Sequence, residues 1–240
     1  MTPTEPQRVV AEFLGTALLL MAVVGSGIVT SDGGSASAQL FQHAVAVGAA
    51  LVALILAFGP VSGAHFNPAV TAADWWFGGI PTGRALRYLG AQVGGATAGT
   101  LATNAMFGVD LVTLSTNARD GFGPIAGEVV ATGGLLLVIF ALVHTGRLGA
   151  VPGAVGAWIG AAIFFTASAS FANPAVTLAR ALTDSYTGIA PGSVPGFLLG
   201  QALGTLAGVA LVAWLYRPSR RQAEVVVQPH GDGAARNEAA

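Results

Sequence analysis

The chain has 240 residues, of which 53% are hydrophobic and 9% charged, and its formal net charge is −1. A soluble domain carries about 25% charged residues, so the bilayer is the main solvent here, and so small a net charge gives no field for recruiting nucleic acid. The absence of cysteine excludes disulfide frameworks and thiolate metal sites.

Residues 1–7 read as a short polar tail in the cytoplasm. Residues 9–29 form the first long apolar run. The Ser-Ala-Ser-Ala stretch at 35–38 imitates a signal-peptidase site, but the run before it is too long for a signal h-region and carries Glu12, so an uncleaved span is expected. Further apolar runs cover about 40–59, 85–107, 124–143, 150–167 and 194–216, each close to the length that crosses a bilayer as helix. With no water in the hydrocarbon to satisfy the backbone, helix is the natural spanning form. Residues 217–240 are polar and rich in Arg, Gln, Gly and Ala, the composition of a disordered tail.

All ten cationic side chains are Arg. If the six spans alternate, Arg8, Arg84, Arg87, Arg147, Arg217, Arg220, Arg221 and Arg236 share one side, leaving Arg119 and Arg180 elsewhere. The positive-inside rule then puts both termini in the cytoplasm of a cell with this protein in its plasma membrane.

The chain also repeats itself. Glu12-x-x-x-Thr16 matches Glu128-x-x-x-Thr132, and Gln92 in the third span matches Gln201 in the sixth. Between them, Asn67-Pro68-Ala69-Val70-Thr71 recurs as Asn173-Pro174-Ala175-Val176-Thr177. Each half (about 8–116 and 117–216) holds three spans, an odd number, so the second half enters the membrane from the opposite side. Inverted repeats place their pathway at the repeat interface, on interrupted helices near the midplane. The predicted fold is therefore all-α: six transmembrane helices plus two re-entrant half-helices in one channel domain, 8–216.

Each pentapeptide reads as a helix start. Asn caps through its side-chain oxygen, and Pro fits the first helical position, where its missing N–H is no loss. Half-helices over 67–77 and 173–183 are expected, each about 16 Å long, roughly half the hydrocarbon thickness. Dipping in from opposite faces, their N-termini meet near the midplane and bring about half a positive charge each. Two Asn amides then offer donors to a passing oxygen while the helix ends repel cations.

Ser62-Gly63-Ala64-His65-Phe66-Asn67-Pro68-Ala69-Val70-Thr71 and Phe171-Ala172-Asn173-Pro174-Ala175 resemble the paired signatures of the aquaporin (major intrinsic protein) family. The resemblance covers about residues 8–216. It implies a pore in each protomer for water and small neutral solutes, a homotetramer, and no cofactor or metal. Family members usually carry Arg three residues after the second Asn; this chain has Val176. Spacing from the motifs then implies a constriction of Val47, Ala161, Ser170 and Val176: small-sided, uncharged and wider than a water-only filter. The motif variant further resembles bacterial members associated with arsenic-resistance operons, which implies glycerol-like, metalloid or organoarsenical cargo.

Arg180 has two readings. It shares a face with Val176 one turn further out and restores the missing charge at the outer mouth, or it snorkels and pairs with Asp184. Glu12 and Glu128 are intramembrane carboxylates, functional by default. Their symmetry favours structural support of the dipping loops; the rival is a proton-coupled small-solute transporter that uses one of them as carrier. His65 reads as a loop anchor, and His43 and His144 as interfacial residues. Trp75 and Trp76 read as interfacial anchors. No nucleophile–base pair is evident, so no enzyme is expected.

Overall fold

The computed structural model describes residues 2–30 and 35–216. The expected disordered tail at 217–240, with Arg217, Arg220, Arg221 and Arg236, lies outside the described residues. Among the described residues every regular element is helical. Long helices α1 (Glu5–Thr30) and α2 (Ala36–Ser62) precede a short α3 (Pro68–Phe77) and a long α4 (Thr82–Met106). The second half follows the same order: α5 (Phe122–His144), α6 (Val151–Phe165), short α7 (Pro174–Ala179) and α8 (Val194–Tyr216). Five of the six long segments combine spanning length with an apolar composition. The sixth, α4, has 25 residues but is rich in Gly, Ala and Thr, residues that favour close helix approach over hydropathy.

That close approach is visible on both sides of the repeat. A Cβ at Gly95 or Gly99 of α4 would run into the backbone of Phe13 or Ala17 on α1. In the second half a Cβ at Gly200 would lie 2.7 Å from the Ile125 carbonyl, and one at Gly208 would lie 2.9 Å from that of Gly133. So α4 packs on α1 as α8 packs on α5. The two halves meet where α2 crosses α6, at Gly48 and Gly156.

The polar tail is shorter than its composition indicates. Helix α1 starts at Glu5, a favourable charge for a helix N-terminus, and Glu5 pairs with Arg84 and, at 2.8 Å, with Arg87. Arg8 is 1% exposed and donates to the carbonyls of Pro3 and Val61, both at 3.3 Å. Backbone acceptors have drawn this cation inside.

The half-helices form for the reasons their sequence gives. Asn67 Oδ1 accepts the Ala69 amide at 2.9 Å, and Asn173 Oδ1 accepts those of Ala175 at 3.0 Å and Val176 at 3.3 Å. Gly78 ends α3 in the left-handed region at φ 82°, where glycine carries no Cβ penalty. The second half-helix is shorter than the expected 173–183: its α-helical part stops at Ala179 and tightens into a 3-10 turn over Arg180–Leu182. Its last carbonyls are claimed from outside, Ala181 O by Ser115 N at 3.1 Å and Leu182 O by Thr113 N at 3.3 Å.

Candidate functional site

The backbone leading into each half-helix is strained. Ala64, Phe66, Ala169, Ser170 and Ala172 all have φ between 47° and 55°, a region that costs a non-glycine residue about 1–2 kcal/mol. It leaves amide groups pointing sideways, deep in the fold. Two carboxylates answer them. Glu12 accepts from His65 N at 3.0 Å, Phe66 N at 2.7 Å, Ser62 Oγ at 2.7 Å and Gln92 Nε2 at 2.8 Å. Glu128 accepts from Phe171 N at 2.9 Å, Ala172 N at 2.8 Å and Gln201 Nε2 at 2.6 Å. The two glutamines also reach the equivalent threonines, Gln92 to Thr71 at 2.9 Å and Gln201 to Thr177 at 2.7 Å. Glu12 and Glu128 are fully buried and neither lines the central cavity. Both oxygens of each carboxylate are thus engaged by donors from the loop and from the neighbouring helix.

The two tips brace each other. Asn67 Nδ2 donates to Ala172 O at 2.7 Å, and Asn173 Nδ2 donates to Phe66 O at 2.8 Å. Each amide uses one N–H in this brace, and both residues line a cavity between the helices, so the second N–H of each is available to whatever fills it. Pro68 and Pro174 occupy the first helical positions, and Ala69 and Ala175 supply the capped amides.

Val47, Ser170 and Val176 line the same cavity, with Leu51 and Ile55 further along α2. Ala161 does not. It is exposed on the outer surface, in a groove with Phe41, Gly48 and Gly156. The cavity-facing residues of α6 are Val155, Ile159 and Ile163, four apart and on one face; Ala161 lies about 200° around the helix from both isoleucines. Counting twelve residues back from Asn173 crosses the 166–172 loop, whose length helix geometry does not fix.

Arg180 is 3% exposed and lines the cavity. Its Nε donates to Thr187 O, and its Cζ lies 3.3 Å from the centroid of the Phe171 ring. The surface pairing with Asp184 does not form: Asp184 accepts instead from Thr116 N at 2.8 Å and Thr116 Oγ1 at 3.1 Å. His43 is likewise no interfacial residue, being 2% exposed and cavity-lining. Its spacing of four from Val47 carried that signal. His65 is held by its loop, with Nδ1 2.9 Å from Thr71 Oγ1 and Nε2 3.5 Å from Asp74 Oδ2. Asp74, a buried carboxylate inside α3, was not singled out by the sequence. His144 is buried against Phe77 and Phe140, with Nδ1 2.7 Å from Phe140 O. Trp75 and Trp76 are exposed.

Two half-length helices braced tip to tip beside a lined cavity, inside a bundle of spanning length, define a transmembrane channel. Residues 2–172 match the family described as "MIP: Major intrinsic protein", and the chain belongs to that family. It is 45% identical over 218 residues to the aquaglyceroporin AqpS of Rhizobium meliloti (strain 1021), covering 89% of this chain and 92% of the relative. It is 36% identical over 217 residues to aquaporin NIP1-4 of Oryza sativa subsp. japonica, covering 88% and 76%. The fold matches the X-ray structure of the aquaglyceroporin from Plasmodium falciparum with a TM-score of 0.69 at 21% identity, over 89% of this chain and 96% of that one. The protein is accordingly a multi-pass membrane channel that passes water and small solutes passively, and not an enzyme.

Proposed function

We propose that the channel conducts small uncharged solutes bulkier than water, alongside water itself. The observation that carries this reading is Val176 on the cavity wall, at the half-helix position where the family resemblance implies Arg. With Val47, Ile159 and Ile163 it gives an apolar wall, while Asn67 and Asn173 supply donors for a solute hydroxyl. Glycerol-like molecules fit that division, and so do neutral metalloid and methylated arsenic species. The similarity to a relative named as an aquaglyceroporin supports a solute larger than water.

The test is Val176→Arg in proteoliposomes, read by stopped-flow light scattering with glycerol, urea, arsenite and methylated arsenicals. Glycerol flux is expected to fall about tenfold, the effect of roughly 1.4 kcal/mol on a barrier, and water flux by much less. Equal loss of both, or of neither, counts against Val176 as a filter residue.

Arg distribution supports cytoplasmic termini: Arg84 and Arg87 lie at the end where α1 begins, and Arg119 and Arg180 at the other. A homotetramer is the proposed assembly. The small-residue groove that holds Gly48, Gly156 and Ala161 on the outer surface is a fitting contact face for a second copy.

A further inference from the structure

We infer that the polar constriction of this pore sits one helical turn outside Val47 and Val176, built by His43 and Arg180. The inference rests on the channel reading above and assigns where its discrimination resides. Helix α2 runs inward toward the half-helix tips, so His43, four residues before Val47, shares its face one turn, about 6 Å, nearer the outer mouth. The second half-helix runs outward, so the backbone of Arg180, four residues after Val176 in the 3-10 turn that closes it, lies further toward the same mouth. Both polar side chains line the cavity. Valine has replaced a polar group at one level, and polar groups stand on both elements at the next.

Each is held in a defined orientation. His43 Nδ1 lies 2.7 Å from Ser26 Oγ, and the Ser26 hydroxyl donates to Ala22 O at 2.6 Å. With that proton committed, Nδ1 is the donor in the pair and Nε2 is left as an acceptor. Nε2 has no partner among the described residues. Arg180 is fixed by Thr187 O and by the Phe171 ring beneath it. Arg119 lies against the same ring at 5.3 Å and is tied to Gly188 O at 2.9 Å and Tyr186 O at 3.0 Å, so it steadies the platform. No carboxylate among the described residues pairs with Arg180. A buried guanidinium without a carboxylate needs other acceptors, and the cavity that Arg180 lines leaves room for a solute oxygen to serve as one. Ser170 Oγ, buried and without a partner, adds a third polar group there. An imidazole acceptor and a guanidinium donor together match a hydroxyl group, which gives and takes a hydrogen bond. A bare cation is repelled. The substrate class is therefore a neutral polyhydroxyl solute or oxyacid, sorted at the His43–Arg180 level and then passed along the wider apolar collar.

The absence of native cysteine makes single-cysteine labelling clean. His43→Cys, Val47→Cys, Val176→Cys and Ala161→Cys are reconstituted and treated with a small methanethiosulfonate reagent. Glycerol flux is expected to fall about tenfold at 43, 47 and 176, and to persist at 161. Unlabelled His43→Ala is expected to raise the ratio of glycerol to water permeability about threefold. Arg180→Lys, which keeps the charge but loses the planar fork, is expected to shift that ratio too. A purely structural role would lower both fluxes and leave the ratio alone. Block at 47 and 176 with an unchanged ratio in both His43→Ala and Arg180→Lys would overturn the displaced constriction while the channel reading stands. Block at none of the lining positions would overturn both.

Discussion

Replacing Glu128 by Ala is expected to lower stability by about 2–6 kcal/mol and abolish flux. The substitution strands the amides of Phe171 and Ala172, each a buried donor that costs about 1–3 kcal/mol unsatisfied. Gln201 loses an acceptor as well. Glu12→Ala strands His65 N and Phe66 N and is expected to do the same. The effect is large because the stranded groups belong to loops that already hold five non-glycine residues at positive φ. Without the carboxylate these loops relax and the half-helix tips part. Thermal unfolding in detergent checks the stability and reconstituted water flux the function. Glu12→Gln separates support from proton transfer. It keeps one acceptor oxygen, so partial flux independent of a pH gradient is expected, whereas flux that needs the gradient in the parent protein and vanishes in the variant would point to a coupled transporter.

Breaking the crossed brace is expected to have the second largest effect. Asn67→Ala removes the donor to Ala172 O, and Asn173→Ala removes the donor to Phe66 O. Each also uncaps its own half-helix, at about 1 kcal/mol. Because the two bonds close one structure, the double variant is expected to cost less than the sum of the singles, with a coupling of about 0.5–3 kcal/mol. Strict additivity in thermal stability would show that the tips do not brace each other. Asn→Asp variants separate the two roles: the capping oxygen stays, the bracing donor goes.

Much of this architecture is legible in the chain because its constraints are local. Asn-Pro fixes a helix start wherever it falls, and half-length apolar segments with polar approaches have few places to go in a bilayer. The two carboxylates were visible because a charge inside a span needs a reason. What was illegible depended on rotation and on loops. The count from Asn173 back to Ala161 crosses a loop, and the helix turns that residue outward. Arg180 has two local readings, the outer mouth and a pairing with Asp184; the Phe171 ring, brought in by the tertiary fold, holds it at the cavity wall. The burial of Arg8 is not legible in sequence, because the backbone carbonyls of residues 3 and 61 converge on it only in the fold. Asp74 carries no sequence signal because its partner His65 lies nine residues away, across the tip of the half-helix. His43 is legible in principle, since its spacing of four from Val47 puts it on the cavity face.

The most direct test is a crystal structure in lipid that resolves ordered water. The expected result is Asn67 and Asn173 side by side at the meeting of the half-helices, each with one amide hydrogen on the opposite loop and the other on a water in an unbroken file running from mouth to mouth. Half-helix tips held apart, or a file interrupted by side chains at the level of the two asparagines, would contradict the account.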